Sequence, residues 1–135
     1  IDEKGRIIIP SKLRNDLGEN FIITRGLDNC LSIYPKDEWN KIIENYRNLP
    51  NTKDARNYMR VLLSGATTLE FDKAGRINIP GPLMTFAGLK KDCVIIGVNE
   101  RLEIWAVENW EKFLTDNESS FSDIADNLFS KELNI

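Results

Sequence analysis

A motif that occurs twice constrains this chain more than any other feature. The motif occupies residues 2–13 and returns at residues 72–83. The positions shared by the two copies are Asp2, Gly5, Arg6, Ile7, Ile9, Pro10 and Leu13, matched by Asp72, Gly75, Arg76, Ile77, Ile79, Pro80 and Leu83. After one added residue, the match continues with Leu31, Ile33, Tyr34 and Trp39 against Leu102, Ile104, Trp105 and Trp110. A unit of about seventy residues therefore occurs in tandem.

The length of 135 residues limits the domain organisation. It is enough for one domain with a buried core, and the repeat predicts two half-domains that share this core. We expect a first repeat over residues 1–49, a linking helix over 50–64, a second repeat over 65–115 and a C-terminal amphipathic helix over 116–135. The second motif follows an alternating, strand-like segment that has no counterpart before the first motif. We therefore expect the natural protein to carry that strand on further N-terminal residues.

Composition argues against catalysis and cofactor binding. The chain has no histidine, and its two cysteines, Cys30 and Cys93, lack the spacing of a zinc site. It also has no phosphate-cradling glycine loop and no activated nucleophile. We expect a protein that is not an enzyme and that takes no metal, no cofactor and no small-molecule substrate. The remaining enzyme hypothesis would use Asp2 and Asp72 as a pair of carboxylates.

The distribution of charge matters more than its total. The net charge of −3 opposes nucleic-acid binding, which usually shows as a basic excess. However, residues 1–14 are rich in lysine and arginine, whereas residues 108–132 are rich in aspartate and glutamate. No apolar run approaches the length of about twenty residues that a membrane-spanning helix requires. We expect a cytoplasmic protein with one basic face and no membrane partner.

The repeated motif predicts a tight hairpin followed by a short helix. Aspartate accepts amide hydrogens within its own turn and glycine supplies a positive φ, so Arg6 and Arg76 should lie just past a hairpin tip. Ser11 should cap a helix over residues 12–17 that stops at Gly18, with a weaker counterpart that stops at Gly88. Alternating apolar residues then predict a second hairpin in each half, over residues 21–34 and 94–105.

Helices with apolar stripes close each half. The stripes run through residues 39–46 in the first copy and begin at residue 110 in the second. Asn51 or Thr52 should cap a linking helix. The C-terminal stripe contains Phe121, Ile124, Ala125, Leu128 and Phe129. Such a stripe more often packs on a core than on a partner, although a neighbouring subunit would also suit it.

The doubled string Asp-x-x-Gly-Arg-Ile-x-Ile-Pro-x-x-Leu, with its short helix and following hairpin, resembles the swapped-hairpin DNA-binding module of AbrB-type regulators. Two tandem copies with a helical insert resemble the MraZ family of bacterial transcriptional regulators, over about residues 1–115. The resemblance implies an α+β fold. In it, two AbrB-like swapped-hairpin units form one pseudo-dimeric barrel with flanking helices.

The resemblance also implies a function. Members of the family assemble into a ring that presents arginine-bearing hairpins to repeated DNA elements. The implied activity is sequence-specific binding of double-stranded promoter DNA, with repression of the division and cell-wall gene cluster and association with the nucleoid. The candidate DNA-binding residues are Asp2, Lys4, Arg6, Lys12, Arg14, Asp72, Lys73 and Arg76.

Chemistry divides these candidates into two groups. The planar fork of arginine can hold phosphate oxygens or a guanine edge, and Asp2 or Asp72 could orient that fork across the turn. The lysines, together with Arg14, suit phosphates. Lys12 and Arg14 face Pro82 and Met84 in the alignment, so we expect the first copy to bind DNA more strongly.

Other interpretations of the same residues stay open. The aspartate and arginine could simply brace the hairpin, and each lysine could be an ordinary solvated charge. AbrB-like folds also serve as antitoxins whose C-terminal segment wraps a toxin, although these are usually single-copy. A ring that binds other proteins but no DNA is a further alternative.

Overall fold

A computed structural model describes the backbone of residues 1–133 and the side chains of residues 1–130. The last two positions of the predicted C-terminal helix over 116–135 lie outside the described residues. The strands are β1 (Arg6–Ile8), β2 (Phe21–Arg25), β3 (Leu31–Pro35), β4 (Thr67–Leu69), β5 (Arg76–Asn78), β6 (Cys93–Val98) and β7 (Arg101–Ala106). The helices are α1 (Ser11–Arg14), α2 (Lys36–Arg47), α3 (Lys53–Gly65), α4 (Gly81–Ala87), α5 (Val107–Glu118) and α6 (Phe121–Leu133).

The two copies of the motif pair with each other. Strand β1 runs antiparallel to β5, with Ile7 opposite Ile77 at the centre of the ladder. Beyond the ladder, the Ile9 amide donates to the Gly75 carbonyl and the Ile79 amide to the Gly5 carbonyl. Each strand is therefore held by the turn of the other copy.

This pairing corrects the prediction of a local hairpin. The turn forms as expected, with the Asp72 amide donating to the Arg76 carbonyl. The local pairing extends no further, because β4, the strand before the second turn, pairs with β2 instead. The alternation of inward and outward side chains along β1 and β5 explains why these two strands pair with each other. Ile7 and Ile77 point into the common core, and only pairing between the two copies brings both side chains there.

A five-stranded antiparallel sheet contains the other strands, in the order β4-β2-β3-β7-β6. The hairpins β2–β3 and β6–β7 meet through β3 and β7. The predicted closed barrel is wrong, because both sheets are open. Strands β4 and β6 form the two edges of the larger sheet, and no strand within residues 1–133 joins them. The three-residue β1 and β5 form a separate layer instead of closing it.

One core lies between the two sheets and includes α1 and α4. Its residues come from both halves: Ile9, Leu17, Phe21, Ile23, Leu31, Ile33, Ile77, Ile79, Leu83, Ala87, Leu89, Leu102, Ile104 and Ala106. Neither half could bury these side chains alone, because the inner face of each hairpin is covered by elements of the other. Among the described residues, no helix combines the length and apolar character needed to cross a membrane.

The short helices differ from their prediction. Helix α1 ends at Arg14, Pro10 is its N-cap residue and Ser11 makes no capping hydrogen bond. Helix α4, expected to be the weaker, is the longer of the two. Its Pro82 lies in the first turn, where an amide hydrogen would have no helical partner, so the proline costs little there.

The predicted stop at Gly88 and the predicted cap of the linking helix are confirmed, whereas α1 ends at Arg14 and does not reach the predicted stop at Gly18. Gly18 and Gly88 have φ values of 73° and 64°, the left-handed conformation that glycine adopts most easily. The Thr52 hydroxyl accepts a hydrogen bond from the Ala55 amide at 3.1 Å, which caps α3.

Helices cover the outer face of the large sheet over β2, β3 and β7. Helix α2 packs on β3, where the rings of Tyr34 and Trp39 lie 5.9 Å apart. Helix α5 packs in the same way on β7, where Trp105 and Trp110 lie 5.4 Å apart. The aromatic pairs occupy matching positions in the two repeats, as the alignment predicts.

Candidate functional site

Two turns with the same hydrogen bonds form the centre of the site. The Oδ1 atom of Asp2 accepts from the amides of Lys4 and Arg6, both at 2.9 Å. The Oδ1 atom of Asp72 accepts from Ala74 at 2.9 Å and from Arg76 at 2.8 Å. In each turn the glycine before the arginine has a φ of 77°. The aspartate and the glycine are therefore explained by the turn itself.

Each aspartate also orients an arginine. The Nε atom of Arg6 donates to Oδ2 of Asp2 at 2.7 Å, and Nε of Arg76 donates to Oδ2 of Asp72 at 2.8 Å. Within the described residues, these bonds engage only Nε of each guanidinium. The terminal nitrogens therefore remain for a ligand, on side chains that are 30% and 32% exposed.

The turn lowers the pKa of both aspartates. For Asp72 the largest cause is the backbone hydrogen bond from Arg76, which favours the carboxylate, and the side-chain bond from Arg76 and the amide of Ala74 add to it. The pKa of Asp2 is lowered by the same causes in the same order, with Arg6 in place of Arg76 and Lys4 in place of Ala74. The carboxylates are thus charged when the arginines are held, and the ion pair persists at neutral pH.

The paired strands β1 and β5 present one polar face to the outside. Arg6 lies opposite Asn78 and Ile8 lies opposite Arg76, whereas Ile7 and Ile77 alternate inward. Asn78 is exposed, and Ile8 is 57% exposed although it is large and apolar. We call Arg6, Ile8, Arg76 and Asn78 the ribbon face.

Sequence reasoning missed two members of the ribbon face. Ile8 and Asn78 occupy equivalent positions in the two copies, and neither is among the candidate DNA-binding residues predicted from the sequence. The period of two along a strand could have found Ile8, because a residue two positions from an outward arginine must share its face.

A cleft of about 290 Å³ is lined by both Arg6 and Arg76, so the structure brings the two arginines together.

Arg14 lies away from its own turn. A Cβ atom added to Gly75 would lie 2.6 Å from Cζ of Arg14, so the guanidinium covers the second turn. The equivalent Met84 covers the first turn, with its sulfur 3.5 Å from a Cβ added to Gly5. The positive charge that belongs to the first copy in sequence is therefore located at the second turn in space.

The lysines frame the turns from exposed positions. Lys4 and Lys73 lie within the first and second turn, and Lys12 lies on α1; all three are exposed. No hydrogen bond or ion pair engages their ammonium groups within the described residues, so they are exposed positive charges. Such groups suit phosphates better than base edges.

The rest of the described chain offers little chemistry. Within residues 1–130, whose side chains the structure describes, no cluster of three or more cysteine, aspartate or glutamate side chains could hold a metal ion. Cys30 is buried and its sulfur donates to the Leu27 carbonyl. Burial raises the pKa of the Cys30 thiol to about 12, so this group is a poor nucleophile.

Comparison with known families agrees with this arrangement. A model of the family described as "MraZ protein, putative antitoxin-like" matches the chain twice, over residues 1–61 and 62–132. The two matches divide the chain between two tandem copies, each with one Asp-x-x-Gly-Arg turn. The predicted family is confirmed: this chain belongs to the MraZ family.

Proposed function

We propose that this protein is a transcriptional regulator that binds double-stranded DNA sequence-specifically through the ribbon face. The observation that supports the proposal is that Arg6 and Arg76, from separate copies, are held by the same aspartate contact on one exposed two-stranded ribbon. A two-stranded ribbon is narrow enough to enter the major groove. A turn that served only to brace the fold would not need free guanidinium nitrogens on that side.

The residue types on the ribbon face match the edges of base pairs. Arginine binds O6 and N7 of guanine bidentately, and asparagine binds N6 and N7 of adenine. The exposed Ile8 would suit the methyl group of thymine. Lys4, Lys73, Lys12 and Arg14 would bind phosphates and position the ribbon. Asp2 and Asp72 would hold the arginine forks and would not contact DNA themselves.

A single ribbon makes few base contacts, so affinity must come from repetition. The proposed active form is a ring of several copies, each of which presents one ribbon to one of several spaced promoter repeats. Linked contacts raise the effective concentration of each ribbon at the next repeat, provided that the spacing fits. Repression of the division and cell-wall gene cluster would follow if the assembly covers its promoter. The protein would then associate with the nucleoid.

The test is DNA binding by Arg6→Ala, Arg76→Ala and the double variant. The probe is a duplex with the spaced repeats upstream of the division and cell-wall gene cluster, and affinity is measured over a salt series. Each single variant should lower affinity about 10- to 100-fold, the equivalent of one lost bidentate base contact. Arg47→Ala on α2 is the matched control, because its side chain is 72% exposed and remote in the fold from the ribbon.

Two readouts decide the proposal. A scrambled duplex of the same length should bind more weakly to the wild type, and the double variant should no longer distinguish the two duplexes. Equal binding of wild type and double variant to the specific duplex would remove the ribbon face as the DNA site.

A further inference from the structure

The outer face of β6 lacks a cover that its counterpart has. Matching β2–β3 to β6–β7 by register places Ile22 with Val94 and Thr24 with Ile96. Ile22 and Thr24 are 6% and 0% exposed. Val94 and Ile96 are only partly buried, although both are large and apolar.

In the first half, the cover is α3. The Thr24 hydroxyl donates to the Leu62 carbonyl at 2.6 Å, and Nη1 of Arg25 donates to the Val61 carbonyl at 2.7 Å. Leu62 is 5% exposed, so it is the apolar residue that seals this contact. Because β2 and β6 are equivalent strands of the two repeats, the contact between α3 and β2 indicates that a helix with an apolar stripe could also pack on the outer face of β6.

Helix α6 has the same apolar stripe as α3 but no surface to cover. The stripe of α3 runs Ala55, Met59, Leu62 and Leu63, and that of α6 runs Phe121, Ala125, Leu128 and Phe129 with the same spacing. In α6 the exposed fractions of Phe121, Leu128 and Phe129 are 73%, 64% and 57%. An apolar stripe this exposed on a folded chain indicates an interaction surface.

The linkers explain why α6 does not return to its own sheet. Residues 48–52, which include Pro50, connect α2 to α3 and let α3 turn back onto β2. Only Ser119 and Ser120 connect α5 to α6. The Ile124 amide donates to the Ser120 carbonyl, which starts α6 at once. The exposure of Phe121, Leu128 and Phe129 shows that the stripe of α6 does not cover the β6 of the same chain.

We propose that α6 of one copy packs on the outer face of β6 of a second copy, as α3 packs on β2 within one chain. The inference deepens the self-association in the proposed function by naming its surface. The equivalence places Leu128 of one copy against Ile96 of the other.

The first test measures the mass of the purified protein in solution by size exclusion with light scattering. The wild type should be an oligomer, and Leu128→Glu with Phe129→Glu should reduce it to single chains with unchanged circular dichroism. Asn127→Glu, which adds one negative charge on the other side of α6, should stay oligomeric. If the wild-type protein is a monomer in solution, the inference is wrong, and the stripe of α6 would have to bind a different protein. Equal oligomers from both variants would also overturn it.

The second test traps the contact. Protein with Ile96→Cys is mixed with protein with Leu128→Cys under mild oxidation, and a disulfide-linked dimer should form. The parent protein and the pair Ile96→Cys with Asn127→Cys are the controls and should form several-fold less dimer. If one chain that carries both Ile96→Cys and Leu128→Cys forms an internal disulfide instead, α6 returns to its own sheet and the inference is wrong.

The two proposals can fail separately. If the ribbon face does not bind DNA, the Arg6→Ala and Arg76→Ala variants bind DNA normally, while the masses and the disulfide are unaffected. If the helix exchange is wrong, the glutamate variants keep their mass, while the arginine variants still lose DNA affinity.

Discussion

The guanidinium of Arg14 covers the backbone of Gly75 and so joins the α1 of one repeat to the turn of the other. The turn has no side chain at this point, and a Cβ atom there would lie 3.2 Å from Nε of Arg14 and 2.6 Å from Cζ. The Nε atom is buried without a hydrogen-bond partner among the described residues. A buried donor left unpaired destabilises a fold, so the arginine is better explained by its charge than by its packing.

Replacing Arg14 should therefore separate stability from DNA binding. Arg14→Met copies the residue that the other repeat uses, Met84. We expect the free energy of unfolding to stay the same or to rise by about 1 kcal/mol, because the unpaired donor is gone. The affinity for DNA should fall, and the slope of log affinity against log salt should decrease by about one phosphate contact.

The control for Arg14→Met is Lys53→Met, which removes one positive charge from an exposed position on α3. Denaturant unfolding and DNA titration are measured on both variants. The interpretation would be wrong if Arg14→Met lost stability and kept its DNA affinity, since Arg14 would then be a packing residue.

Two glycine variants should measure how tightly Arg14 covers the second turn. Gly18→Ala meets no atom within 4 Å, so its cost comes only from the positive φ, about 1 kcal/mol. Gly75→Ala has a similar φ of 77° and must also displace the guanidinium. We expect Gly75→Ala to cost more than Gly18→Ala in chemical unfolding. Equal costs would show that Arg14 moves away freely.

The turns should weaken in acid. Since the folded pKa of Asp72 lies below its ordinary value, the carboxylate stabilises the turn above about pH 4 and loses that contribution as the pH falls through the folded pKa. Titration of the carboxyl carbons by NMR should place the pKa of Asp2 and of Asp72 below the ordinary aspartate value of 3.8. Arg76→Ala should keep part of the lowering at Asp72, because the residue 76 amide still donates. Complete loss of the lowering would assign it to the guanidinium alone.

The contact between Thr24 and α3 should contribute measurably to stability. Leu62 lies in the last turn of α3, where carbonyl groups have no helical donor, and the Thr24 hydroxyl satisfies one of them. Thr24→Val keeps the shape and leaves that carbonyl unpaired, at a cost of roughly 1–3 kcal/mol. Thr68→Val, at the exposed position of β4, is the control and should be nearly neutral. Urea unfolding followed by circular dichroism measures both variants.

Local features of the chain were predictable because their causes are local. The Asp-x-x-Gly-Arg turn, the left-handed Gly18 and Gly88, the Thr52 cap and the tandem repeat depend on residues close together in sequence. The family followed from the same motifs. The closed barrel was wrong because edge pairing depends on which strands meet, and short strands form ladders that no propensity specifies.

The site shows the same division. The sequence alone determined that Arg6 and Arg76 would each stand beside an aspartate at a turn, since that contact spans four residues. Only the tertiary structure decided that the two arginines share one ribbon face, that Ile8 and Asn78 join them, and that Arg14 lies on the turn of the opposite repeat. The expectation that the first copy leads in DNA binding stays untested, and Arg14 now adds its charge to the second. The physical reason is the exchange of β1 and β5 between repeats, which is driven by burial of Ile7 and Ile77 in a common core and leaves no trace in the spacing of charges.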